Sequence, residues 1–219
     1  MGVFSDIKQA TFQLRGVELP YTEAPYNFSR HSERAVEVSA ALHLYGTARA
    51  RGGDVLEIGA VLPHYLVRWP SNGHTVVDLY EQGHGILNEN VLSWEAPQQY
   101  DLIICISTLD HLNGPMEVWL ALERMKSWRK PGGMLFVTLP ANQPDWVGGG
   151  PWLDALLRDR HALEASELWR MDKVDPINNL WDEVTGTKKA PRGYNNPTAF
   201  ANTVYFLFFG EVMRWWLPE

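Results

Sequence analysis

The chain has 219 residues, 45% of them hydrophobic and 21% charged, an ordinary globular composition with enough length for one full core. A net charge of −7 with no visible basic face argues against a nucleic-acid backbone as the main substrate. Nothing approaches the roughly 18 continuous apolar residues that would span a bilayer, and the lone cysteine, Cys105, excludes an internal disulfide.

Residues 1–26 read as an irregular segment with a short strand, and Asp6, Lys8, Gln9 and Gln13 break any apolar leader. These features together lead us to expect a single-domain cytoplasmic protein that makes no membrane contact. A helix is expected over 32–45. Ser32 serves as its N-cap, Ala35, Val36, Val38, Ala41 and Leu42 give the apolar spacing, and Arg34 and Glu37 form a solvated i, i+3 pair. The alternative for that pair is contact with a ligand site. Val55, Leu56 and Ile58 then form a run suited to a strand buried on both faces, interrupted by Glu57 and closed by Gly59. A carboxylate at a strand end can meet a ligand, and glycine permits positive φ and close approach to the backbone. Helix or turn follows from Pro63 to Val67. His74 to Asp78 repeats the pattern of an apolar run tipped by an acid, and Asp78 lies nineteen positions after Gly59. An acid about 20 residues beyond a glycine turn is placed to accept hydrogen bonds from ribose hydroxyls, which marks the nucleotide-binding corner of an open α/β sheet.

Farther on, Tyr100 to Ile106 reads as a strand holding Cys105 as a small buried hydrophobe. Its tip places Ser107 and Thr108 on the binding face, and Asp110 and His111 open the next helix, where Asp110 can complement the dipole. Met116 to Trp128 is an amphipathic helix ended by Pro131-Gly-Gly133, and Met134 to Leu139 is a strand. The segment 140–152, with Gly148, Gly149 and Gly150, is a hinge-like loop that can serve as a substrate lid, followed by a short helix over 152–157. Strands are expected over 168–174 and 203–209, with a further extended piece at 181–184. The polar loop 188–197 carries Arg192, Tyr194, Asn195 and Asn196, candidates for binding a hydroxyl or carboxylate. Trp215 and Trp216 are read as a strand end packed on the core, with a homo-oligomer contact as the alternative.

In this order, Val55-Leu-Glu-Ile-Gly59, Val76-Val-Asp78, Asn88-Glu-Asn-Val91, Tyr100 to His111 and Trp128 to Leu139 resemble the successive motifs of the class I S-adenosylmethionine-dependent methyltransferases. More narrowly, Glu33 to Glu37, Glu57 to Tyr65 and His74 to Asn88 are similar to a bacterial and archaeal subgroup often associated with surface-polysaccharide genes. The resemblance implies a Rossmann-like, mostly parallel seven-stranded sheet with an antiparallel last strand and helices on both faces. It divides the chain into an N-terminal segment and helix (1–50), a cofactor-binding half (51–140) and a substrate-side half (141–219). It implies S-adenosylmethionine as cofactor, with contacts from Glu57, Gly59, Ala60, Val61 and Tyr65 at the first turn. Asp78 and Tyr80 would meet the ribose, Asn90 and Val91 the adenine, and Ser107 and Thr108 the tip of the fourth strand. Val61 and Pro63 stand where the family has further glycines, so the turn either follows a different path or has lost the cofactor; the subgroup, with Val-Leu there, favours a different path.

The activity implied is methyl transfer to a small polar acceptor, with a sugar hydroxyl as the first candidate. Its general base is sought among His111, Asp110 and His64, with His111 preferred. A catalytically inactive binding or assembly module is the alternative. An NAD-dependent oxidoreductase is weaker, because no Gly-x-Gly-x-x-Gly turn is present, and no His or Cys spacing suggests a metal.

Overall fold

The computed structural model describes residues 11–22, 24, 32–66, 72–141, 167–175, 180–184 and 203–217. A hairpin of β1 (Thr11–Leu14) and β2 (Val17–Pro20) leads to α1 (Arg34–Ala50), then β3 (Val55–Ile58), β4 (His74–Val77), β5 (Ile86–Leu87) and β6 (Tyr100–Ile106). After α2 (Pro115–Ser127) come β7 (Arg129–Ala141), β8 (Glu167–Asp175), β9 (Leu180–Glu183), β10 (Thr203–Gly210) and α3 (Val212–Trp216).

Among the described residues eight strands form one sheet in the order β5-β4-β3-β6-β7-β10-β8-β9. The pairs β5–β4, β4–β3, β3–β6 and β6–β7 are parallel, and β10 runs antiparallel to both β7 and β8. The continuous apolar runs have a direct cause, since alternate residues of each central strand enter cores on opposite faces. From β6, Leu102, Ile104 and Ile106 pack under α1 while Ile103 and Cys105 pack under α2; from β7, Met134 and Phe136 go one way and Leu135 and Val137 the other. Gly133 permits the β6–β7 approach, because a Cβ there would lie 2.8 Å from the Asp101 carbonyl oxygen. Burial also pushes the Cys105 thiol far up, in keeping with an inert core residue.

Several sequence expectations are corrected. The sheet has an eighth strand, because β9 pairs with β8 at the edge. Helix α1 runs on to Ala50, and Ser32 is a buried residue outside it, since Glu33 occupies the N-cap without a side-chain cap. The helix or turn expected from Pro63 is met by a 3-10 turn that begins one residue earlier, Leu62–His64. Asp110 and His111 form another such turn, Leu109–His111, and α2 begins only at Pro115, so Asp110 is not an acid of its first turn. Trp215 and Trp216 lie in a short helix and are buried. Trp216 donates to the Leu14 carbonyl (3.3 Å) and meets the His43 ring edge-on, and Trp215 donates to the Gly132 carbonyl (3.1 Å). The tryptophan pair therefore forms no exposed patch of the kind an oligomer contact would use. The glycine loop 148–150, the helix at 152–157 and the loop bearing Arg192, Tyr194, Asn195 and Asn196 lie outside the described residues. Among the described residues no helix is long and apolar enough to cross a membrane.

Candidate functional site

Parallel pairing brings the carboxyl ends of β3, β4 and β6 to one side of the sheet, where strand order reverses around β3 and β6 and a crevice opens. A cavity of about 660 Å³ lies there, within the range of small-molecule sites. Of the residues selected from sequence, Gly59, Ala60, Val61, Asp78, Tyr80, Asn90, Val91, Ser107, Thr108 and His111 line it, and Glu57, Tyr65, His64 and Asp110 do not.

Glu57 lies beneath the cavity wall with none of its surface exposed. Its Oε1 accepts from the Val61 N–H (2.8 Å), which also reaches the Gly59 carbonyl (3.0 Å), and from the Leu62 N–H (2.6 Å), so the buried turn has its donors met. Its Oε2 is 3.2 Å from Nε2 of the equally buried His74, off the line of a hydrogen bond, and Tyr45 packs on the His74 ring at 5.1 Å. The carboxylate read as a ligand contact is therefore the clamp of the turn. At this turn Val61 and Leu62 are packed into the core under α1.

Gly59 has φ +85, and a Cβ there would overlap Thr108 Oγ1. The group closest to this glycine is thus a side chain of the neighbouring strand tip. Asp78 Oδ2 accepts from the Ala60 N–H (2.9 Å), and Oδ1 accepts from the Tyr80 and Glu81 N–H groups (2.7 Å each). A carboxylate has about four lone-pair sites, so one on Oδ2 remains for a ligand hydroxyl. Tyr80 is 84% exposed at the cavity rim. Asn90 turns its Oδ1 back to the Leu92 N–H (2.9 Å).

The proton-handling candidates are dispersed. The His111 side chain is 63% exposed, and its Nε2 is 3.9 Å from Oδ2 of the buried Asp110. His64 is not in the lining, but its Nε2 lies 3.4 Å from Oε1 of Glu81, which is. Among the described residues no group of three or more His, Cys, Asp or Glu side chains could hold a metal ion.

Helix α1 supplies the part of the site the sequence left as a surface pair. Arg34 lines the cavity and donates to the Ile106 carbonyl (3.4 Å), while Glu37 is fully buried and its Oε1 accepts from the Ser107 hydroxyl (2.7 Å). Ser107 sits at φ 41, where non-glycine residues are uncommon, and its N–H donates to the carbonyl and Oγ1 of Thr138 (3.2 Å each). Burial pushes the Glu37 carboxyl up to about 7 against the pull of the Arg34 guanidinium, and Glu33 adds to the rise. The signal was present in the sequence: Glu37 shares a helical stripe with Ala41, Leu44 and Ala48, all buried. An acid on an apolar stripe is not a surface residue.

This fold is that of the class I S-adenosylmethionine-dependent methyltransferases. The structure of the N-methyltransferase NodS from Bradyrhizobium japonicum WM9 with S-adenosyl-L-homocysteine superposes with a TM-score of 0.50 at 15% identity, covering 86% of this chain and 92% of that one. A S-adenosylmethionine-dependent methyltransferase from Archaeoglobus fulgidus (TM-score 0.46, 12% identity, 76% and 93% covered) and one from Thermotoga maritima (0.44, 16%, 81% and 92%) are also similar. At such identity the likeness is one of fold. No protein-family model matches the chain, and no curated protein matches it.

Proposed function

We propose that the protein transfers a methyl group from S-adenosylmethionine to a small polar acceptor, with a sugar hydroxyl as the first candidate. The observation that carries this reading is the charge and shape of the cavity at the carboxyl ends of β3, β4 and β6. Its lining carries four carboxylates, Asp78, Glu81, Glu89 and Glu117, against the one guanidinium of Arg34. A sulfonium is attracted to such a field, and a dinucleotide diphosphate is repelled by it. The turn amides that would cradle a phosphate are occupied by Glu57. This combination favours a sulfonium nucleoside over NAD.

The residues present fit that group. Asp78 would take a ribose hydroxyl on its remaining lone pair, Val91 and Leu79 would face the base, and Arg34 would meet the amino-acid carboxylate. The cofactor supplies a methyl carbon already activated toward nucleophiles, so the protein's share is to hold the acceptor in line and take its proton. The resemblance to genes of surface-polysaccharide assembly supports starting with sugars.

Calorimetric titration with S-adenosylmethionine and S-adenosylhomocysteine, with NAD as control, tests the reading. Micromolar binding of the first two without NAD binding supports it and opens a screen of sugar acceptors. Absence of binding overturns it and favours the binding-module alternative, in which Asp78 serves only the turn.

A further inference from the structure

Glu37 is a costly residue in its position unless its charge is used. It lies on the buried stripe of α1 with its Oε1 bonded to a serine hydroxyl. The serine is Ser107, the residue in strained left-handed conformation at the tip of β6, which lines the cavity. Strain of this kind persists where surrounding structure enforces it, here through Thr138. A serine hydroxyl that gives its hydrogen to a carboxylate keeps lone pairs on oxygen, so Ser107 can still accept a hydrogen bond from a molecule in the cavity. None of the three bases sought from sequence is connected to the cavity in this way: His64 and Asp110 are not in its lining and His111 is largely in solvent.

We propose that Ser107 and Glu37 form the proton-accepting pair of the site, Ser107 touching the acceptor and Glu37 standing behind it as the positioning residue that finally holds the proton. This rests on the methyltransferase reading. As the acceptor lone pair forms its bond to the methyl carbon, the carbon–sulfur bond breaks and its electron pair remains on sulfur, which becomes neutral. The acceptor O–H or N–H proton passes to Ser107 Oγ while the Ser107 proton passes to Glu37 Oε1. Glu37 is left neutral and returns its proton to water after release, so no further reactant is needed.

The electrostatic setting suits the task. Burial raises the Glu37 carboxyl toward neutrality, Arg34 on the same helix draws it down, Glu33 raises it, and the Ser107 and Thr138 hydroxyls favour the anion. On the neighbouring β8, the buried Lys173 faces Glu33.

The full chain, labelled with carboxyl-¹³C glutamate, is titrated by NMR, with Glu37→Asp and Glu37→Gln assigning the signal. The expected midpoint is near 7 in the free protein. It falls by about one unit with S-adenosylmethionine, whose sulfonium favours the anion, and stays in place with neutral-sulfur S-adenosylhomocysteine. With D-glucosamine as acceptor, E37Q should lower kcat by about a hundredfold or more while leaving S-adenosylhomocysteine affinity within about threefold, and E37D should restore part of the rate. A Glu37 signal that does not titrate between about pH 5 and 9, one that moves equally with both ligands, or an E37Q rate within about threefold of the parent overturns the pair. If neither ligand binds the parent protein, the methyltransferase reading itself falls; if both bind and Glu37 behaves as just described, only the pair is lost.

Discussion

Replacing Glu57 tests the structural reading of the turn most directly. In the folded protein its Oε1 accepts two buried amides at 2.8 and 2.6 Å. Hydrogen bonds to a charged group contribute about 1.5–3 kcal/mol each, so Glu57→Ala, which removes both and leaves the Val61 N–H only the Gly59 carbonyl, should cost about 3–6 kcal/mol. For a chain of this size that corresponds to a fall in Tm of roughly 6–24 °C. Glu57→Gln retains an oxygen able to face both amides and loses the charge, so about 1–3 kcal/mol is expected. The order matters more than either value: alanine should be clearly worse than glutamine. Urea unfolding of the three proteins measures it, with an unchanged slope showing that the midpoint shift is a stability change. An E57A protein within about 1 kcal/mol of the parent would mean that these amides are satisfied elsewhere, and the clamp would have to be abandoned.

Gly59→Ala should cost about 2–4 kcal/mol from positive φ and overlap with Thr108. Adding Thr108→Ala should recover the overlap part alone, so a double-mutant cycle additive within about 0.5 kcal/mol would show that the two residues do not meet. Asp78→Ala should weaken S-adenosylhomocysteine binding by about 1–3 kcal/mol, roughly 5- to 150-fold, in calorimetry; an unchanged Kd would confine the carboxylate to its turn. Glu37 gives a pH test with a defined sign: its folded pKa of about 7 lies above the ordinary 4.5, so protonation favours the fold. That contribution is fully present below about pH 4.5 and lost as pH rises through about 7, a change of roughly 3 kcal/mol. The stability of E37Q relative to the parent should therefore increase between about pH 5 and 8, and a flat difference in urea midpoints would show that Glu37 does not titrate there.

The sheet was legible because its strands announce themselves twice. Runs such as Tyr100–Ile106 and Thr203–Gly210 are apolar on both faces, and acids or glycines mark their ends. Asp78 and Gly59 were found at the cavity from spacing alone. What was missed depends on partners distant in sequence. Ser107 lies 70 positions from Glu37, and no local pattern joins them. Arg34 and Glu37 satisfied a rule for surface pairs that is correct when helix faces are exposed, and burial of α1 overrode it. The pair at 215–216 packs on the core as read, in a helix instead of a strand, and Trp216 finds its acceptor in Leu14 at the other end of the chain.

The unusual first turn can be understood as one exchange rather than as a series of departures. A glycine-rich turn leaves its amides open and its surface bare, and needs no internal acceptor. Here Val61 and Leu62 carry side chains that fill the core under α1, which draws the backbone inward and buries two N–H groups. The buried Leu62 N–H requires an acceptor, and Glu57 on the preceding strand supplies one that the Val61 N–H shares. That carboxylate is spent on the turn, and the cavity lining carries Asp78, Arg34 and Ser107 in its place. The same exchange draws α1 into the site. The helix lends Arg34 to the cavity lining and reaches the tip of β6 through Glu37. On this view the divergent residues at 61 and 63 and the buried acid at 37 belong to one solution. Substitutions at Glu57 should accordingly perturb the Arg34 side of the cavity as well as the turn they touch.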